Sequence, residues 1–162
     1  MAAAVHRLRI GEAVAEDRID GRPQRWAVTE LFIDERPLCQ WLGIARDLRR
    51  HGTDLDPELP PPERELGRDA FLGRIPAPNQ FGSGRLVLYR CHCGSDYCGV
   101  ISCRLETDGD HVLWQDVTHE DDDGPSAGHN AADSSAPELT PVARFVFDRA
   151  QYEQELERHF PR

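Results

Sequence analysis

Residues Arg25 to Asp34 alternate with period two: Trp26, Val28, Glu30 and Phe32 fall on one face, Ala27, Thr29, Leu31 and Ile33 on the other. That period predicts a strand, and the β-forming run Val5 to Ile10 predicts another before it. Behind Pro37 the period lengthens, with Leu38, Trp41, Leu42, Ala45 and Leu48 recurring at helical spacing. Proline suits a first helical turn, and Arg46, Arg49 and Arg50 suit the negative end of a helix dipole. The spacing predicts a helix over Leu38 to Arg50, ended by Gly52. Cys39 lies one position from its apolar face, where a packed, inert thiol is expected.

From Thr53 to Ser83 the prolines at 57, 60, 61, 62, 76 and 78 break any long period. A long loop over 53–83 follows, with at most a helical turn around Glu63 to Leu66. Period two returns in Arg85 to Arg90, Gly99 to Glu106 and His111 to Val117, and Thr107-Asp108-Gly109-Asp110 supplies turn chemistry. These segments predict an antiparallel meander. On its middle strand Ile101, Cys103 and Leu105 share a face, which marks Cys103 as core. Residues 118–141 are acidic and then small and polar, predicting a flexible loop; the Glu120 to Asp123 run lacks the spacing of a calcium loop and is expected to be solvated. Phe145-Val146-Phe147 predicts a strand. Asp148, three residues before Gln151, resembles a capping box opening a helix over Arg149 to Phe160, docked through Tyr152 and Leu156.

These elements predict one domain over 1–162 of the α+β class: a mostly antiparallel sheet of about five or six strands, two packed helices and two long loops. Trp26, Leu31, Ile33, Leu38, Leu42, Ile101, Leu105, Trp114, Phe145, Phe147, Tyr152 and Leu156 are the expected core.

The chain has 162 residues, enough to bury a core without staples. Its 29 acidic and 19 basic residues give a formal charge of −10. That balance repels phosphate backbones, so general nucleic-acid binding is not expected; a basic protein or a small molecule suits the charge better. Every basic residue is arginine, a bias of GC-rich coding. No apolar stretch approaches the ~20 residues of a membrane span, and Arg7 and Arg9 interrupt any secretory leader. A cytoplasmic protein without membrane attachment is expected.

Five cysteines are an odd number, and a reducing compartment directs clustered thiols to metal or redox chemistry. Three lie in Cys91-His92-Cys93-Gly94-Ser95-Asp96-Tyr97-Cys98-Gly99, at the tip of a predicted hairpin. Cys91 and Cys93, two apart at a strand end, project to one side, and Cys98 returns after a short loop. Three uses stay open. The thiols can hold zinc, with a fourth ligand from His111, His119, Cys103 or water. Cys93 and Cys98 can act as a redox pair or nucleophile, with His92 or His119 as acid or base and the Pro-rich loop as a lid; Arg90 and His92 favour thiolate while Asp96 opposes it. The cluster can also be structural, its thiols and glycines simply fitting a tight tip. His6, His51, His111, His129 and His159 carry no ligand pattern and are expected to be structural or solvated.

The run from Leu86 to Tyr89 into Cys91-His92-Cys93-Gly94, then Cys98-Gly99, Val112-Leu113-Trp114 and Phe145-Val146-Phe147-Asp148-Arg149-Ala150-Gln151-Tyr152-Glu153, resembles a group of uncharacterised small bacterial proteins common in actinobacteria. The resemblance covers Leu86 to Leu156 apart from the acidic loop. It implies the element boundaries and the cysteine cluster, and no mechanism. The function expected first is a small acidic binding or accessory module, immunity-like or encoded in a biosynthetic cluster. A small metabolic enzyme using Cys91, Cys93 and Cys98 as a zinc or thiol centre is the alternative.

Overall fold

A long hairpin and a meander organise the chain. The computed structural model describes residues 5–125, 139–142 and 144–160. Strands β1 (Leu8–Ile19) and β2 (Arg22–Ile33) pair antiparallel from Leu8↔Ile33 to Ile19↔Arg22. Asp20 and Gly21 join them with φ of 52° and 76°, the pair of positive angles that a type I′ turn requires. β1 thus runs well past the predicted Ile10. β3 (Arg36–Pro37) adds to β2 and completes a three-stranded sheet.

The second sheet is the predicted meander, β4 (Leu86–Tyr89), β5 (Val100–Asp108) and β6 (His111–Asp121). The far edge of β6 pairs with β7 (Gly124–Pro125) and β8 (Arg144–Asp148), giving five antiparallel strands. His6 bridges the sheets, its N–H donating to Val146 O at 2.6 Å. The α+β class and antiparallel pairing agree with the sequence, but the strands divide into two sheets. Thr118 to Asp121, expected in a solvated loop, extend β6, and Glu120 is buried with Arg85 Nε at 4.0 Å. Residues 126–138 of that predicted loop, His129 included, lie outside the described residues.

Three helices pack on this frame. Helix α1 (Leu38–Leu42) is much shorter than the apolar spacing predicts. Gly43 takes a left-handed φ of 69° and caps it, and the chain beyond is irregular. Arg46, Arg49 and Arg50 therefore complement no helix dipole; His51, beyond them, accepts Trp26 Nε1–H at 2.9 Å. Helix α2 (Pro61–Phe71) lies inside the predicted Pro-rich loop. Pro61 and Pro62 start it because the first helical N–H groups lack partners anyway. Helix α3 (Arg149–His159) forms as predicted, with the Asp148 carboxylate accepting Gln151 N–H at 3.0 Å.

The core lies between the sheets and helices. Tyr152 OH donates to Phe71 O at 2.7 Å and accepts Trp114 Nε1–H at 3.2 Å, so one buried hydroxyl joins α2, β6 and α3. Phe145, Phe147 and Tyr152 pack edge-on around Trp114. Helix α3 also holds β1: the Gln151 amide pairs with Leu8 N and O, and Glu155 accepts Ile10 N–H at 2.6 Å. Trp26 and Leu105, expected in the core, are only half-buried. The hairpin changes its buried face along its length. It buries Leu8, Ile10, Leu31 and Ile33 near its base and turns the opposite face, with Ala15 and Val28, inward further out. Among the described residues no helix is long and apolar enough to cross a membrane.

A charged pair fills the space where the segment after α1 crosses β2. Glu30 and Arg46 are both buried, with Nη1 to Oε2 at 2.8 Å. Arg46 further donates to the carbonyls of Thr29, Arg50 and His51, and lies over the Tyr89 ring at 4.3 Å. Glu30 accepts Tyr89 OH at 2.6 Å and Leu31 N–H at 2.8 Å. Removing one member leaves a buried charge uncompensated. Glu30→Ala should lose about 3–5 kcal/mol of stability in urea unfolding, and Tyr89→Phe roughly 1–3 kcal/mol. A double Glu30→Ala, Arg46→Met variant should be more stable than the sum of the single changes predicts.

Candidate metal centre

The sulfurs of Cys91, Cys93 and Cys98 all lie within 4.8 Å of one another, in the connection between β4 and β5. Backbone bonds set this up. Arg90 exchanges hydrogen bonds with Gly52, and His92 N–H donates to Leu48 O at 2.8 Å, so the chain leaves β4 extended along the 48–52 segment. A turn over His92 and Cys93 then brings the Cys93 sulfur back toward that of Cys91, although the first is exposed and the second buried. Gly94 turns the chain with φ 79° and returns its N–H to Cys91 O. A single turn of 3-10 helix, Asp96–Cys98, then brings the third sulfur back.

Beneath the turn, Asp96 anchors the connection. It is fully buried, pairs with Arg90, and accepts Gln80 N–H at 2.8 Å; its own N–H donates to Gln80 Oε1 at 2.9 Å. Arg90 is held on its other side by Asp54 at 2.9 Å. The expected contest between Arg90 and Asp96 over the thiolates is thus absent, because the two neutralise each other below the sulfurs. Gln80 and Asp54 went unrecognised in the sequence, where nothing but their nearness in the Pro-rich segment marks them.

The three thiols differ. Cys91 is buried and Cys93 and Cys98 are exposed. The Ser95 N–H donates to Cys93 Sγ at 3.5 Å, and with the neighbouring thiols it draws the Cys93 pKa below the ordinary value. Cys98, whose sulfur lies 3.3 Å from that of Cys93, is pushed up to about 11 by the same contact, since only one of two adjacent thiols ionises readily. The remaining cysteines are separate: Cys103 is fully buried in β5 and burial raises its thiol far up, and Cys39 is raised to about 11.

The predicted imidazoles do not complete the group. His92 is exposed with Nδ1 3.1 Å from Leu48 O and 3.5 Å from Cys91 Sγ. A carbonyl only accepts, so this nitrogen carries the proton and donates rather than offering a lone pair. His119 is buried on β6, its ring packed under Gly99 with Nδ1 3.9 Å from Asp121. His111 starts β6, at the end away from the cluster. Among the described residues no imidazole or carboxylate joins the three sulfurs.

Three converging thiols can hold a metal ion. Tetrahedral zinc with Zn–S bonds of about 2.3 Å sets its sulfurs roughly 3.8 Å apart, so small rotations of Cys93 and Cys98 suffice. Such a set leaves one coordination position open toward solvent. No family model, curated protein or solved structure matches the chain.

Alkylation with iodoacetamide, followed by mass spectrometry, should rank the thiols. Only thiolate reacts, so Cys93 labels first, with a midpoint below the ordinary thiol value of 9.0. Cys98 follows with a midpoint near 11, and Cys103 stays unlabelled until the protein unfolds. Gly99 has φ 93°, and a β-carbon there would collide with His119 Nε2. Gly99→Ala should therefore cost roughly 1–3 kcal/mol in urea unfolding and even out the labelling rates of Cys93 and Cys98.

Proposed function

We propose that the protein works by contact, as a small acidic module whose Cys91, Cys93 and Cys98 tip holds zinc and presents the β4–β5 connection to a basic protein partner. The observation that carries this is the convergence of three thiols, two of them exposed, with no imidazole or carboxylate reaching all three among the described residues. Thiolates select soft or borderline ions, of which zinc needs no redox partner. Bound there, the ion would fix the connection, and its fourth position would face solvent or a ligand from the partner.

Two further features support contact. Tyr97, between the sulfurs in sequence, is 59% exposed and leans on Phe81 with ring centroids 5.3 Å apart. Exposed aromatic residues of this kind are typical anchors of protein interfaces. The charge of −10 favours a basic partner and speeds encounter with it. Five free thiols suit a reducing cytoplasm, and the role fits an immunity-like or biosynthetic-cluster accessory protein of the bacterial group the sequence resembles.

The 3.3 Å approach of Cys93 and Cys98 favours a second use, thiol–disulfide exchange with a small external disulfide. Metal analysis separates the two. Protein purified without chelator should carry about one zinc per chain, absent from a Cys93→Ser variant that keeps its circular dichroism. Metal-free protein that also fails to take up zinc would end the metal proposal, and one disulfide forming between Cys93 and Cys98 in oxidised glutathione would favour exchange. Affinity capture at low salt should recover a basic protein that is released as salt rises; recovery of none would end the contact proposal.

A further inference from the structure

Away from the sulfurs, α2 and the end of α3 enclose a cleft of about 700 Å³, within the range that small-molecule sites occupy. Arg64 and Arg68, one turn apart on α2, line it beside Glu65 and Asp69; His159 and Phe160 form the other wall.

The arginines are short of partners. Arg68 Nε is buried with no hydrogen-bond acceptor, an uncommon state for a donor that has lost its water. Arg64 makes one hydrogen bond, to Pro57 O at 3.3 Å. Neither guanidinium forms an ion pair among the described residues, although the chain carries 29 acidic groups against 19 basic. Asp69 lies on the same helix but is directed to Arg74 at 3.7 Å.

The opposite wall is flat and neutral. His159 donates Nε2–H to Leu55 O at 2.6 Å, and burial lowers its pKa, so at neutral pH its Nδ1 is a bare acceptor. The Phe160 ring lies beside it at 4.5 Å between centroids. A guanidinium fork on one side and two rings on the other suit a ligand with anionic oxygens at one end and a planar apolar body at the other. The lining carries Glu65 and Asp69 as well as the two arginines and so has no net charge, and a bare inorganic anion gains little there.

We propose that this cleft binds an organic anion, a planar apolar group bearing a carboxylate or a phosphate, with Arg68 and Arg64 holding the anionic oxygens. The site is independent of the cysteine tip.

Isothermal titration calorimetry of the whole chain tests it with four probes: phenyl phosphate, benzoate, inorganic phosphate and benzyl alcohol. One aromatic anion should saturate at one site per chain with Kd below about 1 mM; the tighter of the two identifies the anionic group. Inorganic phosphate and benzyl alcohol should bind at least about tenfold more weakly, lacking one half of the recognition. Arg68→Met should weaken the preferred probe at least about tenfold, and Arg68→Lys should recover part of the loss. Arg104→Met, on β5, should bind as the parent does. Should Arg68→Met fail to melt cooperatively, Arg64→Gln takes its place with the same expectation. No saturation by either aromatic anion, or unchanged affinity in a folded Arg68 or Arg64 variant, would overturn the proposal.

Discussion

A carboxylate and a guanidinium buried together must have nearly every donor and acceptor filled, and Glu30 with Arg46 imposes that demand on the whole molecule. Three carbonyls, from Thr29, Arg50 and His51, come to the guanidinium. Two of them belong to the segment that follows α1, and carbonyls committed within a helix could not turn inward this way. The stop at Leu42 and the irregular path to Gly52 follow from that requirement. So does the hairpin's change of face, because Glu30 needs an inward direction that its neighbour Leu31 also uses.

The same pair reaches the cysteine tip through one strand. Tyr89 donates its hydroxyl to Glu30, and the next residue, Arg90, binds Gly52 by backbone and Asp54 and Asp96 by side chain. Cys91 comes immediately after. The position of the first sulfur is therefore inherited from the buried charges, while Gln80 and Asp96 fix the return of the third. The exposed thiols are borne on a rigid base, the arrangement that a binding site requires if its geometry is to be held before the ligand arrives.

Local signals were readable where they act locally. Asp148 with Gln151 marked the start of α3, Gly109 with Asp110 marked the β5–β6 turn, and the crowding of Cys91, Cys93 and Cys98 in sequence marked the three sulfurs that lie together. The length of β1 was missed, because the period-two pattern overlooks Asp20-Gly21, a strong hairpin signal. What tertiary contacts decide was not readable. Ala45 and Leu48 continue a helical spacing that the burial of Arg46 overrides, and a proline run reads as a breaker although two of its members begin α2. Glu120 looked like one of a row of solvated acids; pairing with Val100 carries it into the sheet. The imidazoles of His92 and His119 sat near the thiols in sequence or register, yet a backbone carbonyl and a glycine, neither visible as a ligand pattern, fix their roles.

Helix α3 is also the lock on β1, through Gln151 to Leu8, Glu155 to Ile10 and Arg158 to Ile10, contacts that span 143 to 148 residues. Translation delivers the hairpin long before the helix that seals it. During that interval Leu8, Ile10, Leu31 and Ile33 have no cover from α3, and the loop to be closed is long. The last step of folding therefore waits until residues 144–160 have left the ribosome.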